Sequence, residues 1–425
     1  MIELKPFTEN LFHCPECHSD EPAIIDAQLH SMYNMAECKC SHCGLEFYQT
    51  FTNGHCVNDN VSVRKSDGRI YTDVDPNFWL ANAVRKAREN SSDKEVSVRK
   101  IIHEEKREVI VLNTLDYLYG HVLLKLYNYQ HHIKNNPGVG LVVIVPKAFE
   151  WLAPAEASEV LIVALSLREL AYEHPSLTAF IKNEFQRFDR IWLSMAWSHP
   201  DFTQIDMKSL TGISPFNLDF YTSEIPTVTF VLREDRWWLK SVVSYWLYRA
   251  GRRFKGLREF CYGLVTSQQE KLVVETVKAI RKHLPDARFF VTGLGTNKGF
   301  GRLAMDSRST KIDEDKELEW CRIYAHSHVV IGFHGSNMLL PTAFSAGCIE
   351  ILPEDRYGNF LQDISVRYSD RRQSFFYRFV DQYAKPNAVA AKAVSMIGDY
   401  ESFTNNMCSN QYHDSAMMEI IDLPK

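Results

Sequence analysis

The chain has 425 residues, 45% hydrophobic, 12% aromatic and 24% charged, too long for one ordinary core and too apolar for intrinsic disorder, so two or three domains are expected. The formal charge of −5 gives no global pull toward nucleic acid or an anionic membrane, although a local basic patch is compatible with it. No stretch approaches the roughly 18 uncharged apolar residues that span a bilayer, and the start MIELKPFTEN lacks the form of a signal peptide, so a cytoplasmic protein with no transmembrane segment is expected.

Six of the ten cysteines lie between Cys14 and Cys56. In a reducing compartment such clustering points to a metal rather than to disulfides. Cys14-Pro-Glu-Cys17 and Cys40-Ser-His-Cys43 are two CxxC knuckles, and two knuckles complete a closed tetrahedral zinc site. Four thiolates leave no open position for water, so the zinc is expected to be structural. Cys38 and Cys56 are spare, and Cys38 is an alternative to Cys40. Residues 1–63 thus read as a zinc ribbon, which metal binding would stabilise by roughly 10 kcal/mol or more. With few Lys and Arg in this segment, nucleic-acid binding by the ribbon is disfavoured, and a stabilising or docking appendage is expected.

Residues 64–106 are strongly charged and read as a connector. Residues 107–222 and 223–425 then read as two consecutive α/β units, joined near residues 210–226. In the first, Glu108–Asn113 and Gly140–Val145 are short buried strands. Tyr117–Asn135 and a segment near Ala155–His174 read as helices, and Asp189–Leu193 as a third strand. In the second, strands are expected at Thr227–Leu232, Leu257–Val265, Arg288–Thr292, Val329–Gly332 and Cys348–Leu352. Helices are expected at Trp237–Ala250, Gln268–His283, Glu317–Ala325, Met338–Ser345 and Ala384–Asp399. Strands alternating with helices argue for parallel sheets, whose ligands bind beyond the carboxyl ends of the strands.

The sharpest such loop is His334-Gly-Ser-Asn337, between a buried strand and a helix. Gly335 permits close backbone approach, Ser336 or Asn337 can cap the helix, and the helix start favours an anion such as a diphosphate. Glu350, in the strand that follows, offers a carboxylate to ribose hydroxyls. Arg233 and Arg236 lie just beyond Thr227–Leu232, and a guanidinium fork suits phosphate oxygens. In the first unit, Asp116 and His121 are the ionisable residues best placed to face a cleft between the units. Weaker candidates are the Gly293–Gly301 loop with Lys298, the basic run Arg249, Arg252, Arg253, Lys255 and Arg258, and Trp151, Trp197 and His199. The pair Asp73 and Asp75 precedes the first sheet and is not a convincing metal-binding DxD motif.

The segment FHGSNMLLPTAF…GCIEILP resembles the donor-site signature of GT-B glycosyltransferases, a strand, HG(A/S), a helix and a G-x-x-x-E strand. It resembles the inverting family that contains plant xylosyl- and arabinosyltransferases and EGF-domain O-GlcNAc transferase, departing from it by Ser336 for Ala and by Asn337. The resemblance covers about 25 residues. The strand leading to Arg233 and Arg236 is similar to the basic motif with which GT-B enzymes, fucosyltransferases among them, grip the donor β-phosphate. The first His of the fucosyltransferase pattern is absent, so the motif does not name the sugar. The resemblance implies two Rossmann-like domains, a nucleotide-sugar as co-substrate, a glycan or other hydroxyl acceptor and no catalytic metal. It also implies inversion at the anomeric carbon and a place in polysaccharide biosynthesis. His121 or Asp116 would be the base; Arg233, Arg236, His334, Gly335, Ser336, Asn337 and Glu350 would hold the donor. A non-catalytic α/β scaffold tethered by its ribbon to a protein or nucleic-acid partner stays open, as does a homo-oligomer.

Overall fold

A computed structural model of the chain describes residues 1–5, 12–20, 22–30, 32–57, 59–72, 79–296 and 300–408. It divides into two units, Met1–Asp206 and Met207–Lys425.

The strands of the first unit are β1 (Ile2–Lys5), β2 (Ala23–His30), β3 (Tyr33–Lys39), β4 (Glu46–Thr50), β5 (Val61–Arg64), β6 (Ile70–Thr72), β7 (Val98–Ile102), β8 (Glu108–Asn113), β9 (Gly140–Pro146), β10 (Glu159–Val163) and β11 (Arg190–Leu193). Its helices are α1 (Trp79–Glu89), α2 (Tyr119–Leu126), α3 (Asn128–Asn135) and α4 (Pro175–Phe185). Strands β2 to β6 form an antiparallel meander, the ribbon sheet. The second sheet has the order β1-β11-β8-β9-β10-β7, with four parallel strands at its centre and an antiparallel strand at each edge. Strands β9 and β10 are buried along their whole length, which is why their Val, Ile and Leu run without the alternation of a one-faced strand.

The ribbon is built into this unit. Phe47, Phe51 and Cys38 share a core with Val109, Val111, Ile144 and Leu161, β1 pairs with β11, and Asn113 Nδ2 donates to Asn34 Oδ1 at 2.8 Å. The expected connector over 64–106 holds β6, α1 and β7. Strand β7 (VRKII) does not read as a strand because its edge position leaves charged side chains in water. The segment near Ala155–His174 is not a helix: its Glu159–Val163 run is β10, fully buried between two strands, where β-branched side chains pack well.

The second unit contains β12 (Thr227–Leu232), β13 (Arg288–Gly293), β14 (Met305–Asp306), β15 (Val329–Phe333), β16 (Gly347–Leu352) and β17 (Tyr377–Asp381). Its helices are α5 (Met207–Thr211), α6 (Val242–Arg253), α7 (Arg258–Arg281), α8 (Glu314–Ala325), α9 (Leu339–Phe344), α10 (Arg372–Phe376), α11 (Pro386–Gly398) and α12 (Tyr400–Phe403). All six strands are parallel, in the order β14-β13-β12-β15-β16-β17. Counted from the first strand of the unit this is 3-2-1-4-5-6, the doubly wound order whose direction of growth reverses between β12 and β15.

Leu257–Val265, read as a strand, is the start of the 24-residue α7. Its Cys261 and Val265 begin the buried face that Leu272 and Val273 carry onward, and Gly263 does not break it. Residues 207–226 also fold with the second unit. The Tyr221 hydroxyl donates to Met396 O at 3.0 Å, and Phe216 N donates to Phe344 O at 2.8 Å. No helix of the described residues is long and apolar enough to cross a membrane.

Candidate functional site

The four cysteines Cys14, Cys17, Cys40 and Cys43 meet as their spacing predicts, with all four Sγ atoms within 4.8 Å of one another. Cys14 Sγ and Cys43 Sγ are 3.6 Å apart, as are Cys17 Sγ and Cys40 Sγ. A tetrahedral zinc with Zn–S bonds of about 2.3 Å requires edges of about 3.8 Å. The two knuckles repeat one backbone pattern. Cys14 N donates to Ser19 O at 2.9 Å and Cys40 N to Leu45 O at 2.8 Å, while His18 N donates to Cys14 O at 2.9 Å and Gly44 N to Cys40 O at 3.0 Å. The residue after each second cysteine is left-handed, His18 at φ 57° and Gly44 at φ 74°. Ser19 Oγ lies 3.1 Å from Cys40 Sγ, and with the Cys43 backbone it pulls that thiol down to about 5. Cys38 is no ligand here: it is buried in the core, where desolvation pushes it up to about 12. The set fits a closed structural zinc.

The second cluster forms where the parallel sheet reverses. Arg233 follows the last residue of β12, and His334 follows the last residue of β15, the neighbouring strand. Arg233 Nη1 donates to Asn337 Oδ1 at 3.1 Å, and Arg236 Nη1 donates to His334 O at 3.3 Å. Gly335, at φ 146°, sits between them: a Cβ there would lie 3.0 Å from Asn337 Oδ1, 3.2 Å from Arg236 Nη1 and 3.4 Å from Arg233 Nη1. Only glycine leaves this backbone open to a group held by both arginines. The other edge of the Arg233 fork takes Asp235, with Nε to Oδ1 at 2.6 Å and Nη2 to Oδ2 at 2.5 Å. Burial works to raise the Asp235 carboxyl, but Arg233 and then Arg236 hold it below its ordinary value. The Arg236 guanidinium is lowered by desolvation and by Arg233 beside it. Two neighbouring cations with one shared carboxylate make a site that favours an added anion.

Two expectations about this turn change. Neither Ser336 nor Asn337 caps a helix: residues 336–338 form a 3-10 turn without a side-chain cap before the short α9, because the Asn337 side chain is committed to Arg233. Glu350 does not present its carboxylate at the sheet end. It is 0% exposed, and its Oε1 lies 3.0 Å from His334 Nδ1. Asp363 Oδ2 lies 3.2 Å from His334 Nε2. Both imidazole nitrogens are engaged, and the backbone N donates to Ile351 O at 3.0 Å, so His334 anchors the turn. Burial raises the Glu350 carboxyl against the lowering effect of His334.

Beyond this turn a cavity of about 820 Å³ opens at the carboxyl ends of β12, β15, β16 and β17, walled by Arg236, Arg249, Arg252 and Arg356 and by Trp237, Tyr245, Tyr248 and Tyr383. Arg249 and Arg252 of the basic run therefore line the same space as Arg236. Asp363 and the cavity aromatics carry no sequence signal, since the fold draws them from separate segments: Trp237 before α6, Tyr245 and Tyr248 within it, Asp363, and Tyr383 after β17.

In the first unit, Asp116 and His121 do come together, with His121 Nδ1 3.2 Å from Asp116 Oδ2. Asp116 is 0% exposed, and Lys125 Nζ donates to the same oxygen at 3.0 Å. Burial alone would raise this carboxyl, yet Lys125 and then His121 hold it far below the usual range, so it stays ionised. The His121 ring packs 3.9 Å from the ring of His55, centroid to centroid, with Trp79 against both. His55 and Lys125 carry no sequence signal, because the ribbon and α2 meet only in the fold. His55, Asp116 and His121 place ligand-type atoms within 4.8 Å of one another, but Lys125 already supplies the positive charge at Asp116. His199 is exposed and adds to the field that keeps His55 neutral. Trp151 is half-buried in the 3-10 turn Lys147–Leu152, and Trp197 O accepts from Asn128 Nδ2 at 2.9 Å. In the glycine-rich loop, Gly295 lies beside Glu234, whose Oε1 accepts from Thr296 N at 2.9 Å. Lys298 and Gly299 lie outside the described residues, as do Asp73 and Asp75.

No family model matches the chain, and no curated protein matches it. Among solved structures it is similar to E. coli ADP-heptose lps heptosyltransferase II, at 8% identity and a TM-score of 0.39, over 69% of this chain and 99% of that one. It is also similar to a glycosyl transferase family 9 protein from Veillonella parvula DSM 2008, at 8% identity and a TM-score of 0.36, over 71% and 98%. A third is E. coli heptosyltransferase WaaC with ADP, at 11% identity and a TM-score of 0.35, over 70% and 99%. At these values the chemistry of the site rests on its own residues.

Proposed function

We propose that the protein is a glycosyltransferase of the GT-B kind that moves a sugar from a nucleotide-sugar donor to a hydroxyl acceptor. One observation carries this reading: Arg233, Arg236 and Gly335 converge at the reversal point of a 3-2-1-4-5-6 parallel sheet, the place where such sheets hold nucleotides. The donor diphosphate takes the Arg233 fork, displacing Asp235, and lies along the Gly335 backbone beside Arg236. The acceptor oxygen attacks the anomeric carbon as the bond from that carbon to the diphosphate oxygen breaks. Charge grows on the departing nucleoside diphosphate, and the two guanidinium groups stabilise it where it develops. This reading asks for no catalytic metal at the diphosphate.

On the acceptor side we assign the base to His121. Its ring takes the hydroxyl proton, while the ionised Asp116 orients it and stabilises the imidazolium that forms. Asp116 itself is too well held by Lys125 to be the base. A single displacement inverts the anomeric carbon. The zinc, bound by Cys14, Cys17, Cys40 and Cys43, holds the knuckles and takes no part in the chemistry. A thermal-shift panel of UDP-, GDP-, CMP- and dTDP-sugars tests the reading, because a donor at 100 times its Kd stabilises the fold by about 2.7 kcal/mol. A shift from one nucleotide class supports it; no shift from any favours a non-catalytic scaffold.

A further inference from the structure

Helices α6 and α7 pack as an antiparallel pair. Near one end Ser244 Oγ donates to Gln268 Oε1 at 2.5 Å. Near the other, Gly251 lets the helices touch, since a Cβ there would lie 2.9 Å from the Tyr262 ring and 3.0 Å from Cys261 Cβ. The inner face is settled by a cluster of Trp237, Leu239 and Val265 with Tyr245, Tyr248 and Tyr262 around it.

The outer face is not settled. Val243, Trp246 and Phe260 are 68%, 64% and 67% exposed, and Val242, Phe254 and Leu257 are exposed beside them. Positions 242, 246, 249 and 253 follow one face of α6, apolar in its first half and cationic in its second. Arg253, Lys255 and Arg258 alternate with Phe254, Leu257 and Phe260, whereas Arg249 and Arg252 line the cavity beside Arg236; Glu259 is the one acidic residue between positions 242 and 264. A soluble surface that shows Trp, Phe and Val together is costly in water unless something covers it.

We propose that the α6–α7 hairpin docks the second unit onto an anionic lipid surface. The charge is complementary: cations of a single sign reach headgroup phosphates while Trp246, Phe260 and the valines enter the boundary below them. Trp favours that boundary, where an apolar ring and a polar N–H are both satisfied. A protein partner would fit less well, since the centre of a protein interface is depleted of charge, and here cations stand between the aromatics on both helices and in the turn. The net charge of −5 gives no general attraction to such a surface, so binding would be confined to this hairpin. The inference is independent of glycosyl transfer.

The test is co-sedimentation of the full chain with phosphatidylcholine vesicles, with and without phosphatidylglycerol. Binding is expected only with phosphatidylglycerol, and added salt should weaken it. The double variant Trp246→Ser/Phe260→Ser, and separately Arg253→Glu/Arg258→Glu, should each cut vesicle affinity at least about ten-fold. Both pairs are exposed, so an unchanged Tm is the control for folding. No binding to the anionic vesicles, or binding that both variants retain, overturns the proposal. A dimer in sedimentation velocity that Trp246→Ser/Phe260→Ser dissolves, with no vesicle binding by the parent, overturns it too and gives the surface to a second copy.

Discussion

Arg233, leaving the end of β12, donates at 3.1 Å to the side chain of Asn337, the fourth residue beyond β15. This bond ties together the two loops that leave neighbouring strands at the reversal of the sheet. It also shapes what Gly335 can tolerate. Gly335→Ala places a methyl group at 3.0 Å from Asn337 Oδ1 and 3.2 Å from Arg236 Nη1, on a backbone where strain costs about 1–3 kcal/mol. Nucleoside diphosphate affinity is expected to fall at least about ten-fold, which corresponds to about 1.4 kcal/mol of binding free energy. Isothermal titration against the parent measures it.

The zinc site predicts a stoichiometry. One zinc per chain should be released when the thiols are modified, and Cys17→Ser should lower both zinc affinity and Tm. The ribbon sheet shares its core with the first α/β sheet, so zinc loss should be felt beyond the knuckles. A second equivalent of metal would mean that His55, Asp116 and His121 hold an ion in spite of Lys125.

His121 and Asp116 should separate in their effects. His121→Gln is expected to slow transfer by about 10²- to 10⁴-fold while nucleoside diphosphate binding is kept. Asp116→Asn also leaves Lys125 buried without its carboxylate, at a cost of about 3–5 kcal/mol. Chemical denaturation beside steady-state kinetics distinguishes the two.

Acid should loosen the first unit through His55. Desolvation, then His121 and Lys125, lower its pKa to about 3, against about 6.5 in an unfolded chain. The folded state keeps this ring neutral, and the unfolded state takes up a proton below about pH 6.5. Its contribution to stability is therefore complete above about pH 6.5 and is lost progressively as pH falls toward about 3. His55→Gln should flatten the stability profile in that window by up to about 1.4 kcal/mol per pH unit, read by urea denaturation at stepped pH.

Most strands buried on both faces are legible in the sequence. Strands β8, β12 and β16 stand where their Val, Ile and Leu runs put them, and the CxxC knuckles announce their own geometry. Strands β7 and β10 are not legible: β7 is an edge whose charged residues resemble a linker, and β10 is too short a buried run to separate from a helix. The site divides along the same line. Arg233, Arg236 and the His334–Asn337 turn are local features of strand ends and can be picked out. The roles of Glu350 and Asp363 as the two carboxylates on His334 depend on strand neighbours and loops that only the fold brings together. The Lys125 and His55 contacts to the Asp116–His121 pair do as well.

The measurement closest to the central claim is titration of nucleoside diphosphates into the parent and Arg233→Ala. One nucleoside diphosphate should bind the parent, and Arg233→Ala should weaken it by about 100-fold or more, as expected for loss of a charge-assisted phosphate fork. Arg233→Lys should recover only part of that loss, because a point charge cannot reproduce the fork. Equal affinity of parent and Arg233→Ala for every nucleoside diphosphate would contradict the assignment of the donor site.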